Sequence, residues 1–228
     1  HYFDLTGSLS YITTVIVAMV LNPSLDIRDL IICAMILVWA VRLGSFLFWR
    51  IKKDGQDKRF IVMKTKFTWF LLTWTLGGLW VLVTMAAGLA ALTSNTTVEL
   101  GILGYVGIAL WLFGFAVEVI ADNQKTQFKK DPNNKDRFIT SGLWSWSQHP
   151  NYFGEITLWL GLALFTYPVL SGWQLVTLIS PIFVYLLLTR LSGIPTLDRL
   201  AKEKWGSDSD YIAYVQATSK LMLAPPKK

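Results

Sequence analysis

The chain has 228 residues, of which 53% are hydrophobic, 14% aromatic and 16% charged, with a formal net charge of +6. Soluble globular domains carry about 25% charge, and 16 Gly, 8 Pro and a single cysteine, Cys33, exclude a collagen-like fibre, a disordered segment and a disulfide scaffold. Apolar runs of membrane-spanning length make it an all-α, polytopic membrane protein, expected to form one membrane-embedded domain over residues 1–228.

Taken in chain order, the apolar runs predict helices near 8–22, 29–49, 68–93, 99–121, 152–169 and 171–190, the first of them short. There is no initiator Met and no basic segment ahead of residues 8–22, so that run does not read as a signal peptide. All the Lys and Arg residues except Arg28 and Arg42 fall in 50–66, 122–150 or from Arg190 onward, which are alternate loops of the six-helix reading. Basic loops mark the cytoplasmic side. The excess of positive charge is thus organised by the bilayer and requires no nucleic-acid partner, although a basic face can attract anionic lipid or a phosphorylated cofactor.

Charged groups inside spans are costly, so each needs a partner or a purpose. Arg42 stands within the second span, with Trp39 and Phe46 on its helical face at i−3 and i+4. It is either a pinning ion pair or part of a site. Asp4, ahead of the first span, can cap that helix or serve chemistry. At the end of the fourth span Glu118, Asp122, Lys125 and Lys129 recur at i, i+4, i+7 and i+11. They form one polar stripe, which either pairs with itself or holds ribose hydroxyls with its acids and phosphates with its lysines.

The connection that follows is denser still. Residues 136–155 pack a Gly, two Trp, His149, Pro150 and Asn151 into a short stretch and then open a helix with Asn151 and Glu155 at i, i+4. Pro150 suits a helix start, leaving His149 and Asn151 at its mouth, where N–H groups favour a phosphate or carboxamide oxygen. An interfacial belt accounts for Trp144 and Trp146 as well as a pocket would. His149 has no His or Cys neighbour, so no metal site is expected. Cys33, in an apolar span, suggests neither a disulfide nor a metal ligand. The tail from residue 191 to 228 turns polar and predicts a short helix, a Gly stop and a second short helix.

Three elements together, 118–130, Gly142-Leu-Trp-Ser-Trp-Ser-Gln-His-Pro-Asn-Tyr-Phe-Gly-Glu155, and Lys204-Trp-Gly with Tyr211 and Tyr214, resemble the steroid 5-alpha-reductase family, more narrowly its bacterial members. The opening Asp4-Leu-Thr-Gly-Ser8, the run Arg42-Leu-Gly-Ser-Phe-Leu-Phe48 and Trp74-Thr-Leu-Gly-Gly-Leu-Trp80 fit the same group. The resemblance implies about seven membrane helices, NADPH bound in a cavity open to the cytoplasm of a bacterial inner-membrane protein, and hydride transfer to the β-carbon of a lipophilic enone such as a 3-oxo-4-ene steroid. Carried over by position, it implies cofactor binding by Asp122, Lys129, Arg137, Asn151 and Glu155, with Trp146, Arg190 and Asp198 as further matches, and His149 beside them. Cations suit the pyrophosphate and 2′-phosphate, and acids and amides suit the ribose and carboxamide. No Rossmann Gly-rich fingerprint is present.

The sequence departs from the family twice. The Gln-Glu pair that contacts the steroid ketone in animal members is not visible in this sequence, so the catalytic candidates are Asp4 and Tyr2, or Trp39 or Arg42. Gln148 stands where an Arg more usually precedes the His-Pro, which removes one cation. A rival resemblance is to the isoprenylcysteine carboxyl methyltransferases and phospholipid methyltransferases, whose Arg-His-Pro-x-Tyr-x-Gly motif binds S-adenosylmethionine. His149-Pro-Asn-Tyr-Phe-Gly154 fits both families. Asn151, Glu155 and the charged stripe favour the reductase, because only NADPH carries phosphates that need Lys129 and Arg137. A non-catalytic membrane scaffold is the third reading, and the stacking of polar motifs on one face argues against it.

Overall fold

The computed structural model describes residues 3–22, 24–54 and 66–226. The helices among them are α1 (Phe3–Leu21), α2 (Ile27–Asp54), α3 (Phe67–Thr84), α4 (Ala86–Leu92), α5 (Ile102–Lys130), α6 (Pro150–Thr166), α7 (Ser180–Leu186), α8 (Ile194–Trp205) and α9 (Ser209–Ala217). No strand occurs among the described residues. Four stretches, Ile27–Arg50, Phe67–Thr84, Ile102–Lys130 and Gly172–Trp205, are long and apolar enough to cross a membrane, and Leu5–Leu21 is a shorter apolar helix. The result is a polytopic helical bundle. Most of the expected loop 50–66 lies outside the described residues.

Two predicted spans have internal breaks. The run expected at 68–93 divides at Met85, whose φ of −94° and ψ of 6° end α3 and start α4. The last run is 3-10 helical over Gly172–Ile179, α-helical in α7 and π-helical over Leu187–Leu191. Apolar run length cannot register such changes of pitch. Conversely, α5 continues through the polar stripe to Lys130, as the i, i+4 spacing of that stripe requires.

The chain divides into two compact units, residues 1–105 with 162–180, and 106–161 with 181–228. In the first, Asp26 and Asp29 cap α2 reciprocally: Asp26 N donates to Asp29 Oδ2 at 3.1 Å, and Asp29 N to Asp26 Oδ1 at 2.9 Å. Arg28 is 1% exposed and lies over the Phe165 ring. Its guanidinium donates to the carbonyls of Phe165 (2.6 Å), Val98 (3.2 Å) and Glu99 (3.0 Å). Arg28, one of the two basic residues outside the basic loops, thus fastens the end of α6 to the irregular backbone at 98–99. Trp39 is sealed in an edge-on cluster with Tyr11 (5.0 Å) and Trp80 (6.5 Å).

In the second unit, α5 and α6 approach backbone to backbone. A Cβ on Gly114 would lie 2.6 Å from Gly154 O, and one on Gly154 would lie 2.6 Å from Glu118 N. One on Gly161 would lie 2.5 Å from Trp111 N. Small residues permit such contact between apolar helices, whose association in lipid rests on close packing. The approach carries the Glu118 and Asp122 face of α5 up to the start of α6.

Candidate functional site

The charged stripe changes character along α5. Glu118 and Asp122 are buried, Lys125 is half-buried and Lys129 is exposed. Asp122 Oδ1 accepts a hydrogen bond from Asn151 Nδ2 at 3.3 Å, which joins the stripe to the first turn of α6. Glu155 lies one turn further along that helix and is half-buried.

The connection between α5 and α6 folds back against α5. Gly142 has φ +63°, a left-handed conformation that suits glycine, and a Cβ there would meet the Gln124 side chain at 2.5 Å. Gln124 Oε1 accepts from Leu143 N at 2.9 Å, and Trp144 Nε1 donates to Ala121 O at 3.0 Å. Trp144, Ala121 and Ile139 form a small buried core, and Lys125 Nζ lies 4.4 Å from the Trp144 ring centroid.

The tail helices close the other side. Pro195 suits the first turn of α8, Gly206 ends it, and the Asp208 carboxylate caps α9 by accepting from Asp210 N and Tyr211 N. Trp205 Nε1 donates to Asp136 O at 2.7 Å, Lys204 Nζ lies 3.2 Å from Asp136 Oδ1, and Tyr214 OH donates to Trp144 O at 2.7 Å. Phe138 sits among Trp205, Tyr211 and Tyr214, with centroids 5.2–5.7 Å away.

Between these elements lies a cavity of about 300 Å³. Its wall is aromatic, from Phe138, Trp144, Trp205, Tyr211 and Tyr214. Lys125, Lys129, Arg137 and Lys204 supply its cations, and His149, Asp198 and Gln148 complete it. Lys129 and Arg137 are exposed at the rim, whereas His149 is 7% exposed. His149 Nε2 lies 3.4 Å from Asp198 Oδ1, the other carboxylate oxygen pairs with Lys220, and the imidazole stacks on Tyr152. Burial pushes the His149 pKa down to about 4, overriding the Asp198 carboxylate, which acts to raise it. At neutral pH His149 is therefore uncharged. Burial also pushes the Tyr214 phenol up, with Tyr211 adding to the effect.

Of the residues proposed from sequence for a cofactor, Lys129, Arg137, His149 and Asp198 share this cavity, and Asp122 and Asn151 bond to one another. Trp146 is 47% exposed and Arg190 is exposed at the end of the π-helical turn, and neither these two nor Asp122, Asn151 and Glu155 line the cavity. Of the catalytic candidates, Tyr2 and the side chain of Asp4 lie outside the described residues. Trp39 belongs to the aromatic cluster of the first unit, and Arg42 lies over the Phe46 ring at 5.2 Å. Phe138, central to the aromatic wall, carries no signal in the sequence because a lone aromatic in a polar loop has no periodic partner. Among the described residues no group of three or more His, Cys, Asp or Glu is placed to hold a metal.

A family model described as protein of unknown function (DUF1295) matches residues 1–218, and the chain belongs to that family, which is steroid 5-alpha-reductase-like. Over 67 residues it is 31% identical to 3-oxo-5-alpha-steroid 4-dehydrogenase 1 of Bos taurus, covering 29% of this chain and 26% of the relative. Over 77 residues it is 29% identical to the Mus musculus protein of the same name, covering 34% and 28%. Over 125 residues it is 32% identical to a probable O-methyltransferase, ustE, of Ustilaginoidea virens, covering 46% and 44%. The aligned parts thus span between about a quarter and under half of these curated relatives. No solved structure matches the chain.

Proposed function

We propose that the protein is an NADPH-dependent reductase of the conjugated C=C bond of a lipophilic enone, a 3-oxo-4-ene steroid or related lipid. On this reading it is a bacterial inner-membrane member of its family, with one functional domain and its cofactor site on the basic, cytoplasmic side. The carrying observation is the gathering of Lys129, Arg137 and Lys204 around an aromatic-walled cavity whose deeper groups are a neutral His149 and Asp198. This donor set fits a dinucleotide phosphate. Guanidinium and ammonium groups suit its phosphates, aromatic faces suit its rings, and amide and carboxylate groups suit its hydroxyls and carboxamide. At about 300 Å³ the cavity stands near the lower end of the ~300–1,000 Å³ typical of ligand pockets.

When bound, NADPH would supply the hydride, and the protein's task is orientation, polarisation and exclusion of water. Lys129, Arg137 and Lys204 hold negative charge at the rim. Asn151, fixed by Asp122, presents a polar edge at the start of α6, and His149 accepts or donates a hydrogen bond without adding charge. Asp4, Tyr2, Trp39 and Arg42 are the candidates for polarising the enone oxygen.

A second reading, an S-adenosylmethionine-dependent methyltransferase, draws on the similarity to the probable O-methyltransferase. The cationic rim speaks against it, because a sulfonium cofactor has no phosphate to meet Lys129 and Arg137. The experiment is to incubate the detergent-purified protein with NADPH and a 3-oxo-4-ene steroid panel and to follow the saturated ketone. Its formation only with NADPH supports the proposal. A folded protein that reduces no enone in the panel contradicts it.

A further inference from the structure

Gln148 occupies the position where the motif more often carries a cation, and its side chain has a definite task. It is half-buried, and its Nε2 donates to Val215 O at 3.1 Å and to Thr218 O at 2.8 Å, carbonyls at the end of α9. The last turn of a helix leaves such carbonyls without intrahelical donors, so a two-proton amide suits the place. Backbone bonds extend the seam: Gln148 N donates to Ser219 O at 2.8 Å and Ala224 N to Trp146 O at 3.2 Å. Ser147 Oγ donates to Leu221 O at 2.8 Å. The adjacent residue is His149, and α9 carries Tyr211 and Tyr214, which line the cavity.

We infer that Gln148 is a positioning residue that seats α9 and segment 218–224 as a wall of the cavity, so that ligand binding and docking of this segment are coupled. Gln148 borders the cavity, but its amide N–H groups are directed to the two carbonyls at the end of α9. It acts through Tyr211 and Tyr214, which take their places from α9, and through the backbone that leads into His149. The choice of NADPH as the probe ligand rests on the reductase reading, whereas the seating rests on the hydrogen bonds alone.

The experiment compares wild type, Gln148→Glu, Gln148→Met and Gln148→Arg by hydrogen exchange over peptides covering 211–224, with and without NADPH, alongside NADPH titrations. Glutamate keeps the shape but donates nothing to the two carbonyls, whereas arginine restores N–H donors. Gln148→Met, uncharged and without donors, should match Gln148→Glu if seating and not charge at the cavity wall sets the affinity. The expected results are faster exchange of 211–224 in ligand-free Gln148→Glu with exchange elsewhere unchanged, and a Kd for NADPH raised about tenfold, as loss of two hydrogen bonds warrants. Gln148→Arg should restore both to within about threefold, which a merely destabilising substitution would not do. In wild type, NADPH should slow exchange in the same peptides. Unchanged exchange in ligand-free Gln148→Glu overturns the inference, as does wild-type affinity in that variant. If wild type ignores NADPH while Gln148→Glu still loosens 211–224 alone, the cofactor assignment fails and the seating stands.

Discussion

His149 shows how far residue identity underdetermines chemistry. From sequence it is a ring at the mouth of a helix, compatible with an anion. In the fold it is buried against Tyr152 and bonded to Asp198, and burial brings its pKa from 6.5 to about 4. Between those values the unfolded chain binds a proton that the folded chain refuses. The stability tied to neutral His149 is therefore present above pH about 6.5 and is lost as pH falls toward about 4. Thermal melts across that window should slope less in His149→Gln than in wild type, and equal slopes would contradict the burial argument. Lys129 is the complementary case, exposed and charged at the rim. Lys129→Ala should lower the preference for NADPH over NADH by about tenfold if that ammonium meets the 2′-phosphate, and an unchanged ratio of the two affinities would remove it from that role.

Helix spacing made some of the site legible. Glu118, Asp122, Lys125 and Lys129 share a face because α5 continues unbroken to Lys130, and Asn151 and Glu155 follow from a start at Pro150. Irregular segments were less readable. Trp144 and Trp146, two residues apart in a 3-10 turn and its cap, face differently, one buried and one exposed, and no period assigns such a pair. The division at Met85 and the π-helical turn before Ser192 were invisible for a related reason, since hydropathy measures apolarity and not pitch. The glycines of the α5–α6 contact mark an element-scale dependence. A methyl group on Gly154 would press on the backbone of Glu118 and Gly114 with no flexible side chain to yield. Gly154→Ala should cost about 1–3 kcal/mol of stability and weaken NADPH binding by displacing Asn151 from Asp122. A Gly154→Ala protein that melts and binds as wild type would show that the contact has room to spare.

At the scale of the whole molecule, composition alone separates this chain from soluble proteins, and the positions of its basic residues predict which loops share a side. Membership in a steroid 5-alpha-reductase-like family agrees with the motifs at 118–155. What the sequence could not supply is the assembly of the aromatic wall, because Phe138 meets Trp205, Tyr211 and Tyr214 only after α8 and α9 have folded back over the loop. The reductase reading depends on the cationic rim being selective for a phosphorylated cofactor. The most direct test is a thermal-shift titration of the purified protein with NADPH, NADH and S-adenosylmethionine, because a ligand that binds only the folded state raises its melting temperature. A rim selective for a phosphorylated cofactor gives saturable stabilisation by NADPH, a weaker effect of NADH and none from S-adenosylmethionine. Stabilisation by S-adenosylmethionine with no response to NADPH would contradict the reductase reading and make Lys129, Arg137 and Lys204 ordinary charges of a basic membrane face.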